Sequence, residues 1–171
     1  MAGKARAWGI LNWSPAELRD AVRLSREQSV ALPSAAQLPY NLVLRSPVED
    51  EAMVRALEEP GISVVASAVL AGGVLSGKYR AGAGEGRLKR GVDSPQLAPA
   101  VQAAEELAAL ADELGATPAA LAVAFALSNP SVASVLFGAT SAEQIEQNVR
   151  ALDVLVVATD AQLDALRRIG A

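Results

Sequence analysis

The fold is decided by residues 3–17, GKARAWGILNWSPAE, where a strand-length run is followed at once by a helix start. Residues 5–11 are largely apolar and have the length of a β-strand. Ser14 then supplies an N-cap hydroxyl, Pro15 fits the first helical position, and Glu17 can reach back to the cap. The stretch therefore predicts one strand–helix unit.

The same succession recurs along the chain. Further strand-length runs are predicted at residues 35–40, 63–70 and 133–137, and the first three strands recur about every 29 residues. Helix starts are predicted at Ser46, Thr117, Ser141 and Thr159. The helix from Ser46 is expected to stop at residues 60–61, and an alanine-rich helix from about Pro99 is expected to end at Gly115.

A strand followed by a helix, four times over, predicts a parallel α/β sheet with right-handed crossovers. This order fits half of a (βα)8 barrel and also fits a small open sheet, and periodicity alone does not choose between them. We treat residues 1–171 as a single domain.

Residues 71–95 interrupt the pattern with a segment rich in glycine and basic residues. A loop of this length inside a compact domain is usually functional or disordered. It is either a solvated loop or a flap over a phosphate-bearing ligand, and its positive charge favours the flap.

Composition excludes several classes of function. The chain has 171 residues, a net charge of -4, no cysteine and no histidine. Disulfides, thiol chemistry, histidine catalysis and HExxH zinc sites are thereby excluded within it, and the charge argues against nucleic-acid and anionic-membrane binding. No apolar run reaches the length that spans a bilayer, and residues 1–8 lack the core of a signal peptide. A soluble, cytoplasmic protein is the expectation.

Candidate ligand-binding residues lie at the predicted carboxyl ends of the strands. Residues 137–141 precede a capped helix, where backbone N–H groups and the helix dipole favour an anion. Gln144, Gln147 and Asn148 then share one face of that helix, either as solvated surface or as ligand contacts. Asn12 follows the first strand and Gln37 lies in the second; Gln37 is either a satisfied buried amide or a ligand for a polar ring.

Two other side chains have alternative roles. Tyr40 is either a core or surface aromatic residue or, less readily, a proton donor. Lys78 is a better phosphate partner than a base, since nothing near it in sequence suggests the burial that would depress its pKa.

Four motifs in order resemble the aldo/keto reductase family. Residues 3–14 (GKARAWGILNWS) resemble the family's "GKvRywGvSNWs", and residues 37–41 (QLPYN) its "vQlpYN". Residues 70–79 (LAGGVLSGKY) resemble "LAGGlLtGKY", and residues 134–148 (SVLFGATSAEQIEQN) resemble "sVipGatsaeQleeN". The nearest likeness is to the branch that includes the potassium-channel β subunits. The resemblance implies the carboxy-terminal half, (βα)4, of a (β/α)8 TIM barrel.

The resemblance also implies a cofactor, NADP(H), and residues that hold it. Asn12 and Gln37 would bind the nicotinamide carboxamide. Leu70, Ala71, Gly72 and Lys78 would lie along the pyrophosphate. The residues that would hold the adenosine 2'-phosphate, ribose and adenine are Gly138, Thr140, Gln144, Gln147 and Asn148.

Departures from the family pattern weaken this reading. Ser67 replaces the aromatic residue that would stack on the nicotinamide, and Leu11 replaces the serine before Asn12. Gln147 stands where a glutamate is usual. The family's catalytic Asp, Tyr, Lys and His come from the other half of the barrel, so general acid catalysis is not expected from this chain alone.

Half a barrel leaves two sheet edges and an open interior, so we expect a homodimer or a complementary half-barrel chain to complete it. The expected function is a protein that keeps part of an NADP(H) site without reducing carbonyls by itself. The alternatives are a repurposed non-redox enzyme such as a cyclase, a regulatory or structural subunit, and a fragment of an ordinary NADPH-dependent reductase.

Overall fold

The computed structural model describes residues 5–79 and 94–171. Four strands are described: β1 (Gly9–Leu11), β2 (Ala35–Pro39), β3 (Ser63–Ser67) and β4 (Val132–Val135). The helices are α1 (Pro15–Glu27), α2 (Ser46–Glu49), α3 (Glu51–Glu58), α4 (Ala98–Leu114), α5 (Pro118–Leu127), α6 (Ala142–Val149), α7 (Ala151–Val157) and α8 (Asp160–Arg168). A short 3₁₀ segment, Ala71–Ser76, follows β3. Part of the predicted loop at residues 71–95 falls at 80–93 and lies outside the described residues.

The four strands form one parallel sheet in the order β1-β2-β3-β4. Gly9 pairs with Ala35, Ala35 pairs with Ser63, and Val64 pairs with Val132. A register shift follows Val64, where β4 contributes one extra residue. The prediction of a parallel α/β arrangement is confirmed. The half-barrel, by contrast, stays a prediction.

All four strands differ from their predicted bounds; the second differs least and ends one residue early, at Pro39. In the first, only Gly9–Leu11 finds partners in β2, so residues 5–8 stay outside the sheet. The third ends at Ser67 because Ala68 adopts a positive φ of 54°, which extended backbone does not allow. The fourth begins one residue earlier and ends at Val135.

The sheet has one buried face and one open face. Along each of the first three strands, side chains alternate between the two faces. Ile10, Leu38 and Val64 are buried, whereas Leu11 is exposed and Gln37 is half-buried. The helix layer therefore covers one face, and the candidate residue Gln37 lies on the other.

At most of the predicted helix starts, the cap that the sequence predicts is present. Ser14 and Thr159 form complete capping boxes with Glu17 and Gln162. Thr117 and Ser141 accept hydrogen bonds from the backbone of α5 and α6. The long helix α4 ends before Gly115, whose φ of 62° is the left-handed cap that the sequence predicts.

The predicted helix over residues 46–60 is wrong in two respects. The chain breaks at Asp50, where ψ is 133°, so two helices replace one. The predicted capping box at Ser46 is also absent, because the Glu49 carboxylate accepts a hydrogen bond from the Tyr40 hydroxyl instead. The Glu49 side chain, which the local sequence pattern assigned to the helix cap, thus binds Tyr40, a residue outside the helix.

The helix α5 is the centre of the helix layer. It is apolar on every side, and residues 119–126 are all buried, so it has no amphipathic face. It packs against α4, α6, α7, α8 and β4.

No described helix is long and apolar enough to cross a membrane alone. Taken together, α4 and α5 reach that length and apolar composition, but they are bent by 96° at the break between them.

Arg45 holds the end of the chain against the turn after β2. Its guanidinium donates to the carbonyls of Leu42, Arg167 and Ile169 at 2.8–2.9 Å. It also lies 4.8 Å from the centre of the Phe125 ring. Charged hydrogen bonds of this kind are stronger than neutral ones, and this side chain joins the turn after β2 to α5 and to residues 167–169.

We expect Arg45→Ala to lower the free energy of unfolding by about 1.5–3 kcal/mol, since hydrogen bonds from a charged donor are lost. Urea unfolding followed by circular dichroism measures this. Arg19→Ala, which removes an exposed arginine from α1, serves as the control and should change stability by less than about 0.5 kcal/mol. Equal losses in the two variants would contradict the anchoring role.

Candidate functional site

Asn12 directly follows β1, and Gln37 lies beside this position in the middle of β2. The Asn12 N–H donates to the Gln37 carbonyl at 3.0 Å. Asn12 has a positive φ of 56°, which turns the chain sharply out of β1. Its side chain is exposed, and Gln37 is half-buried on the open face of the sheet. The Gln37 amide makes no hydrogen bond to another described residue, so it is available to a ligand.

The backbone after β3 is held in an uncommon conformation. Ala68 and Ala71 have positive φ values of 54° and 46°, and Gly72 and Gly73 follow at 68° and 94°. Asn41 supports the turn by donating from its side-chain amide to the Ala68 carbonyl at 3.0 Å. Non-glycine residues rarely adopt this conformation, and when they do it often marks a functional site.

Lys78 folds back across the same turn. Its Cε and Nζ atoms lie 2.6 Å from the point where a Cβ on Gly73 would stand. The absence of a side chain at Gly73 therefore makes room for the lysine. The residues that the resemblance assigns to a pyrophosphate, Leu70, Ala71, Gly72 and Lys78, thus belong to one turn, where the lysine supplies positive charge.

The segment after β4 leads into the amino-terminal end of α6. The backbone N–H of Thr140 donates to Gln144 Oε1 at 2.8 Å, and the Thr140 hydroxyl donates to the same oxygen at 3.3 Å. Ser141 accepts from the Gln144 N–H. Gly138 and Thr140 are exposed, and nothing lies within 4 Å of a Cβ built on Gly138. The predicted ligand residues before α6 therefore face open space.

Gln147 and Asn148 differ in their surroundings although they are neighbours in sequence. Gln147 is half-buried and donates to Glu143 Oε1 at 3.2 Å. Asn148 is only 3% exposed. No fully buried side-chain nitrogen or oxygen among the described residues lacks a hydrogen-bond partner, so the Asn148 amide is not left unsatisfied. Solvated surface, one of the two predicted alternatives for these amides, does not describe Asn148.

Tyr40 is part of the core. It is 2% exposed, its ring stacks on Phe125 with 5.3 Å between centroids, and its hydroxyl donates to Glu49 at 2.5 Å. Asn129 donates to the same hydroxyl at 3.3 Å. Burial, followed by the bond to Glu49, raises the pKa of Tyr40 from 10.0 to about 12. Of the predicted alternatives, the core aromatic residue is the one observed.

A pocket of about 390 Å³ lies on the other side of β2, between α1 and the α2–α3 pair. Its base includes Leu38 and Met53, and Trp13 lines it as well. Glu17 and Asp50 also line it, and hydrogen bonds from Ser14 hold the pKa of Glu17 below its ordinary value. No local sequence pattern predicts this pocket, because segments far apart in the chain form it. Of the predicted site residues, Asn12 alone is in its lining.

The chain belongs to the aldo/keto reductase family, whose model matches residues 1–171. Among its relatives, a probable voltage-gated potassium channel subunit beta from Arabidopsis thaliana is 33% identical over 98% of this chain and 53% of that protein. A putative subunit of the same kind from Schizosaccharomyces pombe is 30% identical over 90% of this chain and 46% of that protein. The probable subunit from Oryza sativa subsp. japonica is 32% identical, with shares of 98% and 53%.

The predicted resemblance to this family, and to its potassium-channel branch, is therefore confirmed. The chain spans about half the length of the curated relatives it matches.

The raised pKa of Tyr40 predicts a loss of stability at alkaline pH. The phenolate is disfavoured in the folded state, so this stabilisation is complete below pH 10 and is lost as the pH rises towards 12. Above pH 10 the free energy of unfolding should fall by up to about 1.4 kcal/mol per pH unit from this group. Urea unfolding at pH 9, 10 and 11 should show that Tyr40→Phe lacks this part of the slope. An identical slope in the variant would contradict the assignment.

Proposed function

We propose that this chain is a dinucleotide-binding part of an aldo/keto reductase barrel that holds NADP(H) but does not reduce carbonyls by itself. The observation that carries the proposal is the placement of the candidate residues. All of them follow, or lie near, the carboxyl ends of four neighbouring parallel strands, which meet at one end of the sheet. Ligands of open and closed α/β sheets bind at this end.

The described residues fit such a cofactor at three points. Lys78 lies over the Gly73 turn and offers a cation to a pyrophosphate. Asn148 lies four residues after Gln144 on the same face of α6, and its amide would hydrogen-bond to an adenine or ribose. A backbone hydrogen bond holds Asn12 next to Gln37, and the two residues would bind the nicotinamide carboxamide. When bound, the cofactor would supply a hydride, and these residues would hold and orient it.

The described residues do not supply a proton donor for a carbonyl. Histidine is absent from the whole sequence, and Tyr40 is buried and bonded to Glu49. Ser67 ends β3 where the family resemblance implies an aromatic residue, so a stacking surface for the nicotinamide is also lost. These departures argue against competent reduction, and the loss of the stacking surface weakens the nicotinamide part of the site.

A regulatory subunit is the second candidate, favoured by the likeness to one probable and one putative voltage-gated potassium channel subunit beta. The repurposed non-redox enzyme has less support, because Tyr40 is enclosed in the core. Its remaining basis is the pocket lined by Glu17 and Asp50.

NADPH binding tests the proposal directly. We expect NADPH to change the tryptophan fluorescence at sub-millimolar concentration, and to bind more tightly than NADH because of its 2'-phosphate. Gln144→Ala should weaken NADPH binding about tenfold, the equivalent of about 1.4 kcal/mol. Gln162→Ala is the matched control, since Gln162 accepts from Thr159 at the start of α8 as Gln144 does from Thr140 before α6. No binding at sub-millimolar NADPH, or equal weakening in both variants, would overturn the proposed site.

Turnover tests the other half of the proposal. With NADPH and a panel of aldehydes, we expect oxidation of the cofactor to stay at the uncatalysed rate, because general acid catalysis worth about 10²–10⁴-fold is missing. Absorbance at the reduced nicotinamide band measures this. Oxidation at ordinary enzyme rates would show that the described half supplies its own proton donor.

A further inference from the structure

The pocket between α1 and the α2–α3 pair has an apolar base and two carboxylates in its lining. Its base includes the buried side chains of Leu38 and Met53. Its volume of about 390 Å³ is within the range of sites that hold small organic molecules. Leu38 and Gln37 point to opposite faces of β2, so the pocket lies on the opposite side of the sheet from Gln37.

Three prolines and a tryptophan give the lining a stiff apolar part. Pro15, Pro39 and Pro47 line the pocket, and a proline ring fixes the backbone φ. Trp13 lines it as well and is 37% exposed, so part of its indole ring is free to contact a ligand. An indole ring attracts a flat apolar group and also a cation placed over its face. The pocket therefore suits a ligand with a flat apolar body.

The charge of the lining is negative. Glu17 and Asp50 line the pocket, and the described lining contains no lysine or arginine. Neither carboxylate forms an ion pair with another described residue. Ser14 donates its N–H and its hydroxyl to Glu17 Oε2, so Oε1 of that carboxylate accepts no hydrogen bond from a described residue. A cation in the pocket would therefore meet two carboxylates that have no other cationic partner in the described chain.

The start of α1 also lines the pocket, and a helix start can attract an anion. Few donors remain there for an anion, because Pro15 has no N–H and the Glu17 N–H donates to the Ser14 hydroxyl at 3.3 Å. Glu17 and Asp50 each add a full negative charge, whereas a helix end carries about half of a positive charge. The electrostatics of the lining therefore favour a cation over an anion.

We infer that this pocket binds a small organic cation with a flat apolar body. The body lies on Leu38 and Met53 beside Trp13, where it is removed from water. The ammonium group of the ligand lies at the carboxylates of Glu17 and Asp50, whose charge selects a cation. The inference does not depend on cofactor binding, because none of the proposed pyrophosphate or adenosine residues lines the pocket.

Three probes of one shape test the selection of charge: the cation naphthylmethylammonium, the neutral naphthylmethanol and the anion naphthoate. Proton–nitrogen NMR of the indole N–H groups follows each titration, because the chain has two tryptophans and only Trp13 lines the pocket. We expect the cation to shift the Trp13 signal with a dissociation constant of about 1 mM, which is usual for a ligand of about a dozen non-hydrogen atoms. The anion should bind at least about tenfold more weakly.

Trp8 is the internal control, and its signal, assigned with Trp8→Phe, should stay in place. Equal affinities for the cation and the anion would overturn the inference. Shifts at Trp8 instead of Trp13, or no binding of any probe, would do the same.

Variants that remove one charge locate the ammonium group. Glu17→Gln keeps the capping box, because glutamine makes the same bond, and Asp50 makes no side-chain cap bond that Asp50→Asn could lose. Each variant should weaken binding of the cation about three- to fivefold and leave binding of naphthylmethanol unchanged. Glu58→Gln, which removes a charge from α3 outside the pocket lining, is the matched control and should bind the probes as the unmodified chain does.

Unchanged binding of the cation in both pocket variants would contradict the inference, as would an equal loss in the control. An equal loss for the neutral alcohol would show that the carboxylates do not select the charge, which also overturns it. Each of these outcomes leaves the NADPH result unaffected.

Discussion

Parallel pairing of four short strands is the constraint on which the molecule depends. It brings the ends of β1, β2, β3 and β4 to one end of the sheet, so residues far apart in sequence become neighbours there. It also divides side chains between two faces, because alternate residues point in opposite directions. The helices cover the face of Ile10, Leu38 and Val64, and the candidate residue Gln37 is left on the other.

The second constraint is the support of the turns that carry candidate residues. Asn41 holds the Ala68 carbonyl, and the absence of a side chain at Gly73 makes room for Lys78. The positive φ values of Ala68 and Ala71 cost free energy that the surrounding packing must offset. Such a backbone suits a place where a ligand approaches the main chain closely. The same packing explains Tyr40, whose hydroxyl bonds to Glu49 and so takes part in the core.

Two kinds of exposed surface remain once the core is formed. Most of the candidate site residues are polar, and all are exposed or half-buried except Asn148, which is buried. The two outer edges are apolar. Contact with water is unfavourable for the apolar edges and favourable for the polar site residues. The molecule therefore has a surface suited to a polar ligand and, apart from it, surfaces suited to protein contact.

Local chemistry in the sequence determined the strand–helix order, the caps at Ser14, Thr117, Ser141 and Thr159, and the end of α4 at Gly115, because each depends on residues close together in the chain. The four sequence motifs also identified the aldo/keto reductase family. Tertiary structure alone decided the break at Asp50, the role of Glu49 towards Tyr40, the burial of Asn148 and the pocket beside Met53. Each of these depends on which distant segment packs against the residue, and no local pattern records that.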